Sequence, residues 1–132
     1  MPRHVLLIDL VDEAAAIAHY ERWHAAGAVP AAVCTDIRDS GILAMEIYRT
    51  GNRLVMVMET AEGYDPARRT AGQAIEAVQE WESKMRSVQQ PLPWAQPEAK
   101  WTPATRIFSL AEQPDTRRDE RGSAPPPTDT DQ

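Results

Sequence analysis

Two β-type runs, Ile42 to Arg49 and Arg53 to Thr60, flank Thr50-Gly51-Asn52, and no other feature of the chain restricts its fold so tightly. Glycine and asparagine tolerate the positive φ of a tight reversal, so the spacing predicts an antiparallel hairpin with both residues in that region. Residues 4–11 are aliphatic-rich and too short for a core helix, which predicts a mostly buried strand interrupted by Asp9. Asp12 is placed to cap a helix over 13–26, with Ile17, Tyr20 and His24 on one stripe and Glu13, His19 and Arg22 pointing away. Gly27 and Pro30 break that pattern, and 31–39 reads as a short second helical piece ended by Ser40-Gly41.

After the hairpin, Asp65-Pro66 supplies a cap and a first-turn proline for a helix over 66–88, in which Ala67, Ala71, Ala74, Ile75, Val78, Trp81, Met85 and Val88 recur at helical spacing. Four prolines and two tryptophans over 91–103 predict a rigid connector that wraps across the domain, and 105–110 reads as a last strand. From 111 to 132 the chain is charged, carries Pro125-Pro126-Pro127 and has no apolar periodicity. The expected organisation is a domain over 1–110 and a disordered C-terminal tail over 111–132. The order β-α-β-β-α-β is ferredoxin-like: an α+β fold, βαββαβ, with a four-stranded antiparallel sheet and two helices on one face. Ala44, Tyr48, Val55 and Val57 then share the uncovered face. They are too apolar for water, which points to a homodimer burying sheet against sheet, a dimeric α/β barrel.

Composition removes several classes of function. A net charge of −6 and a pI near 5.0 argue against nucleic acid and anionic membranes as partners. Cys34 is the sole cysteine, so no internal disulfide or multi-cysteine metal site can form, and it reads as a small buried residue. The N-terminal apolar run is too short and polar for a signal peptide or a span, and the expected location is cytoplasmic. No phosphate loop, nucleophile context or metal-ligand spacing occurs, since His4, His19 and His24 lack it; no metal and no cofactor are expected.

Three signals remain for chemistry. Tyr20 and His24, four apart on an inward helical stripe, are proton-handling groups, and imidazole titrates where general acid–base work is efficient. A pair satisfied by backbone at the edge of a core has the same spacing. Asp9, Glu46 and Glu59 interrupt apolar strands; alternation puts Glu46 with Ile42, Ala44 and Tyr48, so these carboxylates either line a polar pocket or are paired by arginines such as Arg38, Arg49, Arg53 or Arg106. Four tryptophans against one phenylalanine suit sugar-ring faces, although Trp81, on the inward stripe of its helix, is also a core position. Trp94 and Trp101 belong to the connector, and Trp23 reads as a lid or interface contact.

From about residue 4 to 110 the chain resembles the L-rhamnose mutarotase family, and most nearly its L-fucose mutarotase branch. The resemblance lies in Asp9-Leu-Val, Tyr20-x-x-x-His24, Ser40-Gly-Ile, Met45-Glu-Ile-Tyr48, Gly51-Asn-Arg-Leu-Val-Met-Val-Met-Glu-Thr60, Gln79-Glu-Trp-Glu82 with Met85, Gln89-Gln-Pro-Leu-Pro-Trp94, and Lys100-Trp101 before Arg106-Ile-Phe108. It implies a ferredoxin-like dimer that interconverts the α and β anomers of a free monosaccharide, with the acid/base histidine at His24, a substrate-contacting tyrosine at Tyr20 and a pocket tryptophan at Trp81. Glu46, Trp101 and Met45 complete the expected sugar-binding set. Met45 stands where the rhamnose branch has a second pocket tyrosine, Trp81-Glu82 replaces tandem tryptophans, and Ala28-Val29-Pro30-Ala31 replaces Trp-Pro-Glu after the histidine. The expectation is therefore an isomerase acting on a 6-deoxy sugar, L-fucose before L-rhamnose. A sugar-binding module without turnover and a small dimeric-barrel monooxygenase are the competing readings.

Overall fold

The computed structural model describes residues 2–64 and 75–117. The hairpin is present: β2 (Ile42–Thr50) and β3 (Arg53–Thr60) pair antiparallel and close at Thr50 opposite Arg53. Gly51 has φ +56, whereas no described non-glycine residue has positive φ, so the expectation for Asn52 is corrected. A positive first central residue alone is the pattern of a II′ turn. Asn52 instead docks the hairpin tip. Its side-chain amide donates to the Leu10 carbonyl at 2.9 Å, and its own carbonyl accepts from the Leu10 N–H at 2.6 Å. These contacts seat β3 beside β1 (Arg3–Leu10), in antiparallel register from Arg3 opposite Glu59 to Asp9 opposite Arg53.

Among the described residues, three α-helices cover one face. α1 (Ala14–Trp23) buries Ala16 and Tyr20, four apart, and stops before Gly27, whose φ of +83 a helix cannot continue through. Asp12 is not its cap: Glu13 holds that place in extended conformation, with no side-chain capping bond. α2 (Ala31–Asp39) begins after Pro30 and ends at Ser40, whose hydroxyl donates to the Ile37 carbonyl. α3 (Glu76–Arg86) buries Val78, Trp81 and Met85 at helical spacing. The expected start of that helix at Asp65-Pro66 lies outside the described residues, as does the expected 111–132 tail from 118 onward; the start of that tail is described and includes a 3-10 turn over Leu110–Glu112. Ile8, Leu10, Leu54, Val33, Val78 and Val88 join Tyr20 and Trp81 in one core cluster, where each fully buried large aliphatic side chain contributes roughly 2 kcal/mol.

The sheet runs β2-β3-β1-β4, with β4 (Gln89–Gln90) and β5 (Thr102–Pro103) both antiparallel to β1 on one edge. The expected strand over 105–110 is thus corrected. Pairing ends at the Ala104 N–H, which donates to the Val5 carbonyl; beyond it Ile107, Phe108 and Leu110 extend into solvent, with Ile107 94% exposed. Their apolar character finds no core within one protomer. Between Gln90 and Thr102 the connector leaves the edge of β1 and returns to it, anchored by buried Leu92.

A bulge between Ile42 and Ala44 resets the alternation of β2: Ile42 opposes Thr60, but Ala44 opposes Glu59. After it, Met45 and Ile47 oppose Met58 and Met56 on the helix-covered face, while Ala44, Glu46 and Tyr48 face the other way.

The turn yields a direct test. Gly51→Val is expected to cost about 1–2 kcal/mol in urea unfolding, because a β-branched residue resists the left-handed region, while Gly51→Asn is expected to cost much less. Equal stability of the two variants would contradict the turn geometry.

Candidate active site

The C-terminal end of α1 places the first two groups. The His24 N–H bends back to the Glu21 carbonyl at 3.2 Å, so the Tyr20 carbonyl lacks its regular helical donor. His24 supplies one from its side chain: Nδ1–H donates to the Tyr20 carbonyl at 2.7 Å. In the neutral ring that bond assigns the proton to Nδ1 and leaves Nε2 as an acceptor. The same backbone geometry stacks the rings, with centroids 4.1 Å apart at 28°. Trp81 of α3 meets the imidazole edge-on at 5.0 Å.

These three side chains line a cavity of about 520 Å³ between the helices and the covered sheet face. Val33 and Ile37 of α2, Met45 and Ile47 of β2, and Met56 of β3 supply an apolar wall. Lys100 and Trp101, at the end of the connector, close another side. The structure therefore brings together Tyr20, His24, Trp81, Trp101 and Met45 of the six candidates read from sequence.

Glu46 is the exception. The bulge turns it to the opposite face, where it is exposed and accepts a hydrogen bond from the Tyr48 hydroxyl at 2.7 Å. The other two strand carboxylates are ion-paired away from the cavity. Asp9, nearly fully buried, accepts two hydrogen bonds from Arg53 at 2.8 and 3.1 Å, and Glu59 pairs with Arg3 at 3.3 Å. Trp94 stacks under the Arg53 guanidinium at 5.0 Å, and Trp23 packs between His19 and Lys84.

The cavity's own carboxylate is Glu82, accompanied by Gln89, Arg38 and Cys34, none of which the sequence pattern singled out as pocket residues. Glu82 was legible only as the neighbour of Trp81; Gln89 and Arg38 reach the cavity through tertiary packing.

Electrostatics separate the two proton-handling groups. Burial pushes the His24 pKa below its ordinary value, and the bond to the Tyr20 carbonyl opposes that only in part. Burial also drives the Tyr20 phenol up to about 12; its interaction with the Gln89 side chain pulls the other way, and the nearby Glu82 charge adds to the rise. At neutral pH the pair is thus a neutral imidazole beside a protonated phenol, one able to accept a proton and the other able to donate one. Among the described residues no cluster of three His, Cys, Asp or Glu side chains could hold a metal ion, and no helix is long and apolar enough to cross a membrane.

Comparison with known proteins bears on this arrangement. A family model described as L-rhamnose mutarotase matches residues 3–110. The L-fucose mutarotase of Xanthomonas campestris pv. campestris is 44% identical over 113 residues, 85% of this chain and 90% of that protein. Among solved structures, the L-rhamnose mutarotase of Formosa agariphila superimposes with a TM-score of 0.55 at 15% identity, covering 83% of this chain and 99% of that one. Tetracenomycin F2 cyclase from Streptomyces glaucescens does so with a TM-score of 0.60 at 14% identity, covering 83% and 97%. At those identities the two structures speak for the fold alone, an α+β half-barrel. Because the family model matches residues 3–110 of the 132 and the Xanthomonas protein is 44% identical over most of the chain, this chain belongs to the L-rhamnose mutarotase family of sugar isomerases.

Proposed function

We propose that the protein interconverts the α and β anomers of L-fucose, with His24 as general base and acid and Tyr20 as its partner. The observation that carries this reading is the juxtaposition, on one cavity wall, of an imidazole with a free Nε2 and a phenol that stays protonated at neutral pH. His24 Nε2 takes the proton of the anomeric hydroxyl while the Tyr20 hydroxyl gives its proton to the ring oxygen, and the C1–O5 bond breaks. The open-chain aldehyde turns about C1–C2. Closure on its other face returns one proton from the imidazolium to the carbonyl oxygen and one from the C5 hydroxyl to the phenolate, so the enzyme ends as it began. Only proton transfer and positioning are required.

The sugar assignment rests on two supports. The relative matched at 44% identity is named an L-fucose mutarotase. The apolar wall of Val33, Ile37, Met45, Ile47 and Met56 suits a 6-deoxy sugar, whose C6 methyl carries no hydroxyl to leave unsatisfied. Trp81 and Trp101 offer ring faces to the apolar side of the sugar.

Saturation-transfer NMR on equilibrated L-fucose reads anomer exchange directly. The protein is expected to accelerate exchange of L-fucose above L-rhamnose, and His24→Ala to lower the rate by on the order of 100-fold or more. The rate should fall on the acid side with a midpoint below the ordinary imidazole value of about 6.5, because only neutral His24 accepts a proton and burial keeps it neutral to lower pH. No matching loss is expected through neutrality, where Tyr20 remains protonated. Exchange at the buffer rate for L-fucose, L-rhamnose and pentoses would end the mutarotase assignment. Saturable sugar binding without exchange would instead indicate a binding module.

The same reading places the enzyme in the cytoplasm as a homodimer. Support for the dimer comes from exposed Tyr48 and Leu43 on edge strand β2, the half-buried Val55 and Val57 of the uncovered sheet face, and Ile107, Phe108 and Leu110. Sedimentation should give a dimer, and the double variant Ile107→Asp, Phe108→Asp a folded monomer; a wild-type monomer at micromolar concentration would refute the assembly.

A further inference from the structure

His24 owes its place on α1 to its own backbone, since Nδ1–H donates to the Tyr20 carbonyl one turn earlier. Its relation to Trp81 is set differently, because that ring belongs to α3 and the contact crosses between two helices. A second contact crosses the same gap one residue away. Lys84, one helical turn after Trp81 on α3, carries its ammonium 5.0 Å from the centre of the Trp23 ring, and Trp23 is the residue before His24 at the end of α1. The same ammonium lies 5.9 Å from the centre of the Trp81 ring.

Both distances fall within the ~6 Å over which a cation is attracted to an indole face. Trp23 and His24 are adjacent in sequence, and Trp81 and Lys84 are three apart, neighbours on one helical face. The two crossing contacts therefore close a circuit: His24 meets Trp81 at the cavity, and Trp23 meets Lys84 toward solvent, where the lysine is exposed. His19, four residues before Trp23, stacks on that indole at 5.6 Å and 14°, so the ring that Lys84 grips is also backed by its own helix.

We propose that Lys84 is a positioning residue for the reaction: its ammonium ties Trp23 to Trp81 and thereby sets the spacing of α1 and α3 at which Trp81 rests against the His24 imidazole. The role belongs to the charge and not to packing alone, since the lysine's four-carbon stem could cover an indole without it. The clamp bears on turnover because His24 and Trp81 line the same cavity. That consequence rests on the mutarotase reading, whereas the clamp itself does not.

The test compares Lys84→Met, which keeps an unbranched apolar stem and removes the charge, with Lys84→Arg, which restores a cation able to lie over indole. The three histidines of the chain serve as probes in 1H–13C spectra of their rings at neutral pH. In Lys84→Met the His24 and His19 resonances should move, because the indoles beside them shift. His4, at the start of β1 and bonded to the Thr60 hydroxyl at 3.1 Å, should stay where it is. Lys84→Arg should bring both moved sets back toward their wild-type positions. L-fucose exchange should slow about threefold in Lys84→Met, the worth of one exposed cation–π contact, and change little in Lys84→Arg. Unmoved His24 resonances in Lys84→Met, equal movement of all three histidines, or Lys84→Arg behaving as Lys84→Met would overturn the proposal. If the wild-type protein exchanges no sugar, the mutarotase reading falls, and the histidine resonances alone decide the clamp.

Discussion

The site depends on a helix that ends early. Four residues after Tyr20, α1 tightens so that the His24 N–H turns to Glu21, and the Tyr20 carbonyl is completed by the His24 imidazole instead. That one bond fixes three things together: the proton sits on Nδ1, the free Nε2 is available, and the imidazole lies stacked on the phenol. Burial by Trp81 and the surrounding core then lowers the basicity of the ring and raises that of the phenolate. A histidine held in this way needs no carboxylate partner to set its tautomer, which is consistent with every strand carboxylate being engaged elsewhere.

The sheet serves this arrangement by deciding which side chains reach the cavity. Asn52 pins the hairpin to the end of β1, and Arg53 beside it neutralises Asp9, so the one nearly buried carboxylate of β1 is compensated on the face away from the helices. The β2 bulge then delivers Met45 and Ile47 rather than Glu46 to the covered face. The connector returns to β1 only at Thr102, just after placing Lys100 and Trp101 against the cavity.

Much of this was legible from residue spacing. The hairpin, the inward Tyr20–His24 stripe, the 31–39 helix and the face shared by Ala44, Tyr48, Val55 and Val57 follow from local periodicity, which depends on neighbours in sequence. Alternation wrongly groups Ile42 with Glu46, Ala44 and Tyr48, because a bulge inserts one unpaired residue, and nothing in Ile42-Leu43-Ala44 announces where alternation will slip. The segment 105–110 has the composition of a strand, but its apolar residues have no site in the isolated protomer, so composition and pairing part there. Glu82, Gln89 and Arg38 were out of reach for a different reason: their relevance arises from distances across the chain that no motif encodes.

The central claim is that His24 at neutral pH is an uncharged ring protonated on Nδ1, with Nε2 open to the substrate. Long-range 1H–15N NMR of histidine side chains tests it without any assay of turnover, because the two nitrogens of each tautomer resonate far apart. For His24 the expected spectrum shows a protonated Nδ1 and an unprotonated Nε2, with a titration midpoint below the ordinary imidazole value of about 6.5. An Nε2-protonated ring, or an imidazolium persisting at pH 7, would contradict it.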